Sequence, residues 1–515
     1  MERFLARHAD RVIGVLSGFD RLVFRGTMRT IAFAEGMGKF LSWRGVLLKD
    51  FGPYVEATTG LVKKRSLESA EALGRPIKFL PSSATSKEDV ARSLLAEHPI
   101  EDGLICVLTS VEPCMTFEIH RSREKKRLEL VARQRKCLFL YHYFLDRCFG
   151  FLSARLQTWF PFSIQICLNG REFLGRQMDR LGIEYVRRDN CFPSIEDLPR
   201  AQRLAHAQLR RSWPMALNRI ANQINPARAE VVGQKAPPYY WSAHQSEWAT
   251  DVMFATPDDL DAIYSSLVKH GITHFASPDV LRFLGRRVRP GFQGELTSHF
   301  KDRPGGLRLK HAVGGNSIKI YDKQGSVLRI ETTINAPRDF KVYRPKEGGP
   351  PEDLAWRYMR RGVADLHRRA EVSHAANKRY LEALGTVDIE QTVQQHIAKV
   401  LGPAQLEGRT LRPLAPWSKD LPLLEAISRG EFAINGFRNR DIAALLHPAA
   451  AENTTEARRR SASVTRLLRI LRAHGIVTKV NKTYRYQLTQ RGRQVIAAVL
   501  ATRSASVRRL NDLAA

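Results

Sequence analysis

The sequence lacks the features of secreted, zinc-bound or membrane proteins. Six cysteines lie far apart, at Cys106, Cys114, Cys137, Cys148, Cys167 and Cys191. No two of them form a CxxC pair, which argues against a zinc ribbon. Met1–Arg11 is polar and charged, so we expect no signal peptide, and no apolar run reaches the length of a membrane span. We therefore expect a cytoplasmic protein with reduced thiols and no membrane partner.

Acidic residues are scarce relative to basic ones. The 515 residues include 52 Asp and Glu against 82 Lys and Arg, a formal net charge of +30. This excess favours a polyanionic partner, DNA or RNA, over a small-molecule substrate. Charge alone does not separate DNA from RNA. A membrane surface would require a basic amphipathic helix or a lipid anchor, and the sequence has neither in clear form.

The segment from Asn316 to Asn335 has the pattern of a β-hairpin. Apolar and polar residues alternate on both sides of a turn, and a three-residue loop around Gln324 and Gly325 keeps the two alternations in phase. One face is then apolar. The other face, which we expect to be exposed, carries Lys319, Tyr321, Lys323, Arg329, Glu331 and Thr333.

These polar side chains suit phosphodiester chemistry. The phenol of Tyr321 can attack phosphorus, and Glu331 can hold a divalent metal. The cations that can bind phosphate are Lys319, Lys323 and Arg329. The alternative is a structural hairpin, in which Tyr321 packs across the strands and Glu331 pairs with a neighbouring cation.

Two short segments, Lys319–Lys323 (KIYDK) and Leu328–Glu331 (LRIE), resemble a motif of rolling-circle replication initiators (Rep). Initiators of plasmids and phages often carry K-[IVF]-Y-[DNE]-K followed by a strand with L-R-[IVF]-E. The resemblance implies a DNA-nicking protein of a mobile element that uses a tyrosine nucleophile and Mg²⁺ or Mn²⁺. One departure is that we find no His-hydrophobic-His pair, which most such nickases use to hold their metal.

Other carboxylates could complete a metal site with Glu331. The candidates are Asp146, Glu247 and Asp251. Glu247 and Asp251 are four residues apart and would share one face of a helix, and oxygen ligands suit Mg²⁺ or Mn²⁺. The alternative is a solvated helix face. Asp20 and Arg25 lie in a predicted short strand and could contribute to a site, although the pattern assigns them no chemistry.

The segment from Leu104 to Leu168 is the part of the chain that is richest in predicted strands. Strands are expected at residues 104–108, 137–144, 151–157 and 162–169, forming a sheet that is open on one face. The basic run Arg121–Arg127 separates the first two strands and could contact phosphate. A basic helix is expected over Glu352–Leu384.

The C-terminal region shows helices at residues 423–429, 439–446 and 456–474, then a hairpin at 476–488 and a closing helix at 490–500. This order resembles the winged-helix domain of MarR-type regulators, which implies that the third helix reads DNA. The expected DNA-binding residues are Arg458, Arg459, Arg460, Ser461, Ser463, Arg466 and Arg469 on that helix and Lys479, Lys482 and Arg485 on the wing. Residues 421–515 contain 17 basic and 6 acidic residues. The alternative is a winged helix that binds protein.

Together these patterns predict a mixed α/β (α+β) multidomain protein, with an antiparallel-sheet-containing body and a C-terminal winged helix. The predicted divisions are an N-terminal α/β region (1–103), a central catalytic body (104–346), a basic helical connector (352–420) and a winged-helix domain (421–502). The predicted activity is metal-dependent nicking of one DNA strand. Two alternatives remain, a non-enzymatic DNA-binding regulator and a carboxylate-metal nuclease or transposase that uses no tyrosine.

Overall fold

The chain folds into two compact units. The structure, a computed structural model, describes residues 1–504 except 83, 234–237, 276, 287–295, 302–306, 386–396, 399, 430–431, 433–435 and 481–482. The sheet unit comprises His8–Leu260 and His299–Tyr380. The terminal unit comprises Met1–Arg7, Asp261–Ser298 and Leu381–Ala515. The chain is therefore a mixed α+β multidomain protein, as the sequence predicts.

Helices and strands alternate along the described part of the chain. The helices are α1 (Glu2–Arg7), α2 (Ala34–Trp43), α3 (Phe51–Ala72), α4 (Lys87–Glu97), α5 (Gly170–Arg180), α6 (Leu198–Ala207), α7 (Trp213–Ile224), α8 (Arg228–Val232), α9 (Pro257–His274), α10 (Ser277–Phe283), α11 (Leu366–Leu384), α12 (Leu421–Ile427), α13 (Asn439–Leu446), α14 (Thr454–Ala473) and α15 (Gln490–Ser504). The strands are β1 (Val12–Thr27), β2 (Ile77–Phe79), β3 (Gly103–Ser122), β4 (Arg127–Asp146), β5 (Gly150–Gln157), β6 (Ile164–Asn169), β7 (Tyr185–Arg188), β8 (Cys191–Ile195), β9 (Tyr240–Phe254), β10 (Leu296–Lys301), β11 (Arg308–Val313), β12 (Asn316–Lys323), β13 (Val327–Ile334), β14 (Lys341–Pro345), β15 (Leu354–Tyr358), β16 (Ala404–Leu406), β17 (Arg409–Leu411), β18 (Phe437–Arg438), β19 (Val477–Lys479) and β20 (Arg485–Leu488).

One large sheet joins eleven of the described strands, in the order β10-β11-β12-β13-β9-β1-β6-β5-β4-β3-β2. Its centre is β1, which pairs antiparallel with β9 on one side and with β6 on the other. A strand from the N-terminal region thus lies between strands from the middle of the chain. The division predicted at residue 103 falls inside this sheet unit.

The hairpin of β12 and β13 has the register that the sequence predicts. Lys323 pairs with Val327, so Gln324, Gly325 and Ser326 form a three-residue loop. Gln324 and Gly325 have φ values of 60° and 84°, the left-handed conformation that such loops need. The predicted loop length is confirmed.

Helix α11 covers the apolar face of this hairpin. Asn377 on α11 is fully buried, and its Nδ2 donates to the carbonyl oxygens of Trp248 (3.1 Å) and Ile330 (3.0 Å). Its Oδ1 accepts a hydrogen bond of 2.7 Å from Thr332 Oγ1. One amide therefore ties α11 to both β9 and β13.

Two predicted helical segments are strands. Glu247 and Asp251 lie on β9, where residues four apart also share a face because side chains alternate with a period of two. The predicted helix over Glu352–Leu384 was wrong in its first part. Residues Leu354–Tyr358 pair with β14, and the helix begins only at Leu366. The first error arises because residues four apart share a face in a helix and in a strand alike.

The terminal unit contains the predicted order of C-terminal elements. Helices α12, α13 and α14 are followed by β19, β20 and α15, with β18 added as a third strand. Val464, Leu468 and Leu471 form the buried side of α14. The order is confirmed, and the assignment to the winged-helix class stays a prediction. None of the helices in the described residues has the length and apolar character that a bilayer crossing requires.

Replacing Asn377 with alanine should lower the free energy of unfolding by about 2 kcal/mol, because buried backbone carbonyls of β9 and β13 lose their donor. Urea unfolding followed by tryptophan fluorescence measures this change. Glu371→Ala, at an exposed position of α11, is the matched control and should stay within about 0.5 kcal/mol of wild type. Equal stability of the two variants would contradict the bridging role.

Candidate functional site

A β-bulge in β1 turns Asp20 toward a cluster of charged side chains. Phe19 pairs with Trp248 and Arg21 pairs with Glu247, so Asp20 is an extra residue on β1 with no partner on β9. Such bulges re-aim side chains and are frequent beside active sites. Asp20 is in consequence directed at β13, where its Oδ1 accepts a hydrogen bond of 2.9 Å from Arg329 Nη1.

Three carboxylates from neighbouring strands converge at this point. Among the residues that the structure describes, Asp20 on β1, Glu247 on β9 and Glu331 on β13 bring one oxygen each within 4.8 Å of one another. Glu331 is only 2% exposed. Lys319 and Glu247 have side chains that are 14% exposed, so the cluster is reached from their side. This carboxylate triad could hold a metal ion.

Small residues make room beside the triad. Gly18 on β1 pairs with Ala249 on β9, and the space above them is filled by Arg171 from the first turn of α5. A Cβ on Gly18 would lie 3.2 Å from Arg171 Nη1. Arg171 Nη2 donates to Asp251 Oδ2 over 2.9 Å. Helices α5 and α6 therefore cover this face, and the expectation of a fully exposed hairpin face was wrong.

Arg329 is a buried hydrogen-bond donor that holds Asp251 and Asp20 in position. It is fully buried, and its guanidinium donates to both oxygens of Asp251 (2.6 and 2.8 Å), to Asp20 and to the carbonyl of Asn190 (2.7 Å). Burial disfavours the charged guanidinium and lowers the pKa of Arg329. The negative charges of Asp251 and Asp20 outweigh this effect and raise the pKa well above its ordinary value. The geometry corrects the expected phosphate-binding role, because every direction of the guanidinium fork is occupied.

Glu331 ionises most readily of the three carboxyls of the triad. Lys319 Nζ donates to its Oε1 over 2.5 Å, and the Tyr321 hydroxyl donates to its Oε2 over 2.7 Å. Burial raises the pKa of Glu331, but the charge of Lys319 and these two hydrogen bonds bring the pKa below its ordinary value. Burial and the charge of Glu331 raise the pKa of Tyr321 well above its ordinary value. The phenol is therefore neutral and acts as a donor.

The other two carboxyls hold protons more tightly than usual. Burial raises the pKa of Asp20, and the charge of Glu331 adds to this effect against the opposing charge of Arg329. Burial and Glu331 likewise raise the pKa of Glu247, whose Oε1 lies 3.8 Å from Lys319 Nζ. An added cation would relieve this repulsion.

Three other predicted residues lie outside the triad. Asp146 accepts hydrogen bonds from the amides of Cys148 and Phe149 at the β4–β5 turn and pairs with Arg219 at 2.6 Å, which is a structural role. Asp251 is buried between two arginines. Lys323 pairs with Asp189 in the β7–β8 turn. Of the expected ligands, the structure brings Glu247 and Glu331 together.

The expected DNA-binding residues of the terminal unit differ in exposure. Arg458, Arg459, Ser461, Arg466 and Lys479 are exposed, whereas Arg460, Ser463, Arg469 and Arg485 are partly buried. Arg460 is held by Glu456 at 2.5 Å and by the carbonyl of Ala449. Lys482 lies outside the described residues. The exposed arginines of α14 are thus the ones free to reach a phosphate backbone.

Comparison with known proteins adds no family. No protein-family model, no curated protein and no solved structure matches the chain. The resemblances to rolling-circle initiators and to winged-helix regulators rest on the residues quoted above.

Sequence reasoning gave Asp20 no role because a bulge leaves no local pattern. One signal was present, since Asp20 follows Phe19 and precedes Arg21-Leu22-Val23-Phe24 in an apolar strand. A carboxylate in such a strand is costly to bury without a partner. The partners come from β9 and β13, more than 200 residues away in the chain.

Arg329→Met should cost about 3–5 kcal/mol of stability, because Asp251 and Asp20 remain buried without a counter-charge. Lys323→Met removes a cation from the same strand pair, yet its partner Asp189 is mostly exposed, and this control should cost less than about 1 kcal/mol. Chemical denaturation of both variants makes the comparison. A small loss for Arg329→Met would contradict its ordering role.

Divalent metal should stabilise the protein more as the pH rises. In the metal-free protein, Asp20 and Glu247 have higher pKa values in the folded state than in the unfolded state. Protonation of the two carboxyls therefore stabilises the fold most below about pH 4, and this stabilisation is lost as the pH rises through their folded-state pKa values. Metal binds the deprotonated carboxylates. The increase in Tm on adding Mn²⁺ should therefore be larger at about pH 8 than at about pH 5.

Thermal scans of two variants control this measurement. Glu331→Gln should abolish the Mn²⁺-dependent increase in Tm, whereas Asp146→Asn, outside the triad, should keep it. A metal effect that is equal at both pH values, or that persists in Glu331→Gln, would refute binding at the triad.

Proposed function

We propose that the protein cleaves one strand of DNA at a centre formed by the triad, with Mg²⁺ or Mn²⁺ as the cofactor. One observation carries this proposal. The Tyr321 hydroxyl lies 2.7 Å from Glu331, a carboxylate that belongs to a cluster of three oxygen donors. Oxygen ligands of this kind suit small, hard divalent cations. A phenol beside a metal carboxylate is a competent nucleophile for phosphoryl transfer.

The residues divide the chemistry among them. The Tyr321 oxygen forms a bond to phosphorus while the bond from phosphorus to the leaving deoxyribose oxygen breaks. The phenolic proton passes to Glu331, which already accepts it in a hydrogen bond. Lys319 balances the charge of a non-bridging phosphate oxygen. The departing oxygen takes a proton from solvent, and Glu331 returns the phenolic proton to solvent, so that the protons balance. Asp20, Glu247 and Glu331 would hold a divalent cation, which would neutralise charge at the phosphate.

Water is the second candidate nucleophile. The observation that favours it is the environment of Tyr321, whose pKa is raised by burial and by the charge of Glu331. Forming a phenolate there is unfavourable, whereas carboxylates with a divalent metal can activate water instead. In that case Tyr321 positions Glu331, and the protein is a carboxylate-metal nuclease.

The terminal unit supplies duplex binding in this proposal. Arg458, Arg459 and Arg466 are exposed on α14, and residues 421–515 carry 17 basic and 6 acidic residues. Such a surface favours phosphate contacts. A role in the replication or transfer of a mobile element, within the cytoplasm, is the biological setting that we infer from the resemblance to Rep proteins.

Supercoiled plasmid incubated with the protein and Mn²⁺ should be converted to the nicked form. Glu331→Gln should reduce the rate by at least about 100-fold, since it removes both a ligand and the proton acceptor. Asp146→Asn should cleave like wild type. Agarose gels measure the rate, and a denaturing gel detects protein covalently joined to DNA.

Tyr321→Phe separates the two candidate nucleophiles. Loss of nicking and of the covalent adduct supports Tyr321 as the nucleophile, whereas retained nicking without an adduct supports water. Wild-type protein that binds DNA but never nicks it, with either metal and with single-stranded or supercoiled substrates, would refute the enzyme and leave a DNA-binding regulator.

A further inference from the structure

The hairpin of β14 and β15 presents aromatic side chains to solvent. Trp356 is 69% exposed, Tyr358 58% and Tyr343 54%. Along both strands the exposed residues alternate with more buried ones, so the three rings share one face. Large exposed aromatic side chains are costly in water and mark binding surfaces. We call this surface the aromatic face.

The rings of the aromatic face contact one another and a cation. Tyr343 and Trp356 are direct cross-strand partners with ring centroids 5.8 Å apart. Lys341 Nζ lies 5.4 Å from the ring centroid of Tyr358. On the opposite side of the hairpin, Arg344 donates to the carbonyl of Tyr358 over 2.8 and 3.0 Å. Strand pairing, ring contact and these hydrogen bonds therefore define the arrangement of the three rings.

A group of basic side chains follows the aromatic face along the chain. The amide of Ala243 donates to the carbonyl of Arg361, which holds the segment after β15 against β9 next to His244. Burial and then the charges of Arg25 and Arg361 lower the pKa of His244. Among the described residues, neither Arg25 nor Arg361 forms an ion pair with a carboxylate. Cations that gather without acidic partners indicate an anionic ligand.

One of these cations, Arg25, lines a groove, and it lies on the same face of β1 as Arg21, the strand partner of the triad residue Glu247. The groove has a volume of about 250 Å³ and is lined by Arg25, Arg155, Gln157, Gln165 and His244, among others. His244 precedes Glu247 by three residues on β9, a separation of about 10 Å along the strand. A chain of a few nucleotides spans this distance.

We propose that the aromatic face and the cations Arg25 and Arg361 bind single-stranded DNA, with bases stacked on Trp356 and phosphates on the arginines. This inference rests on the proposed function, because it leads the bound strand to the triad. Base stacking on aromatic rings beside a basic groove is the general chemistry of single-strand recognition. The arrangement disfavours duplex DNA, whose bases are already stacked on one another.

Fluorescence anisotropy with labelled oligothymidine in EDTA tests the proposal, because no metal-dependent cleavage occurs there. Trp356→Ala should weaken binding about tenfold, and Trp356→Phe should restore it to within about twofold, since phenylalanine keeps a stacking face. Trp43→Ala, at an equally exposed tryptophan of the sheet unit, should bind like wild type. Arg25→Ala combined with Arg361→Ala should make the salt dependence shallower by about 1.4 units of slope.

Two further DNA ligands distinguish the contribution of base stacking to binding from the contribution of charge. An abasic strand of the same length should bind Trp356→Ala and wild type equally, and a duplex should show no difference between them. If Trp356→Ala binds oligothymidine as well as Trp43→Ala does, the aromatic face is not a binding site and the proposal fails. If the wild-type protein never nicks DNA but Trp356→Ala loses oligothymidine binding, the single-strand site is supported and the nuclease is refuted.

Discussion

An imbalance of buried charge governs the sheet unit. Four carboxyls, Asp20, Glu247, Asp251 and Glu331, face three cations, Arg171, Arg329 and Lys319, in one cluster on the central strands. Arg171 pairs with Asp251, Arg329 is shared between Asp251 and Asp20, and Lys319 lies between Glu331 and Glu247. Buried like charges cannot all ionise without compensation, so two carboxyls retain their protons more firmly. A divalent cation bound among these carboxyls would relieve the imbalance.

The backbone builds this cluster through irregularity and through small residues. The bulge at Asp20 brings a third carboxylate to a face where regular pairing would have offered two. Gly18 and Ala249 leave the space that Arg171 occupies. The same face then continues, uncovered, to Arg25 and its groove. The triad and the groove beside Arg25 therefore lie on one sheet, and Asn377 of α11 donates to the carbonyls of Trp248 and Ile330 on the opposite face of that sheet.

Local pattern was sufficient where neighbours in sequence are neighbours in space. The three-residue loop at Gln324 and Gly325 follows from alternation and turn length alone, and the structure confirms it. The position of β1 between β9 and β6 could not be predicted, because strand order depends on packing between segments far apart in the chain. Asp20 was left unassigned for that reason, and the burial of Arg329 was missed because α5 and α6 come from other parts of the chain.

Anomalous diffraction from crystals soaked in Mn²⁺ tests the metal centre most directly. The account predicts one strong peak among Asp20, Glu247 and Glu331, at about 2.0–2.3 Å from a carboxylate oxygen of each. Glu331→Gln crystals soaked in the same way should lack that peak. A wild-type peak at Asp251 or Asp146 with none at the triad, or no peak anywhere on this sheet face, would contradict the account.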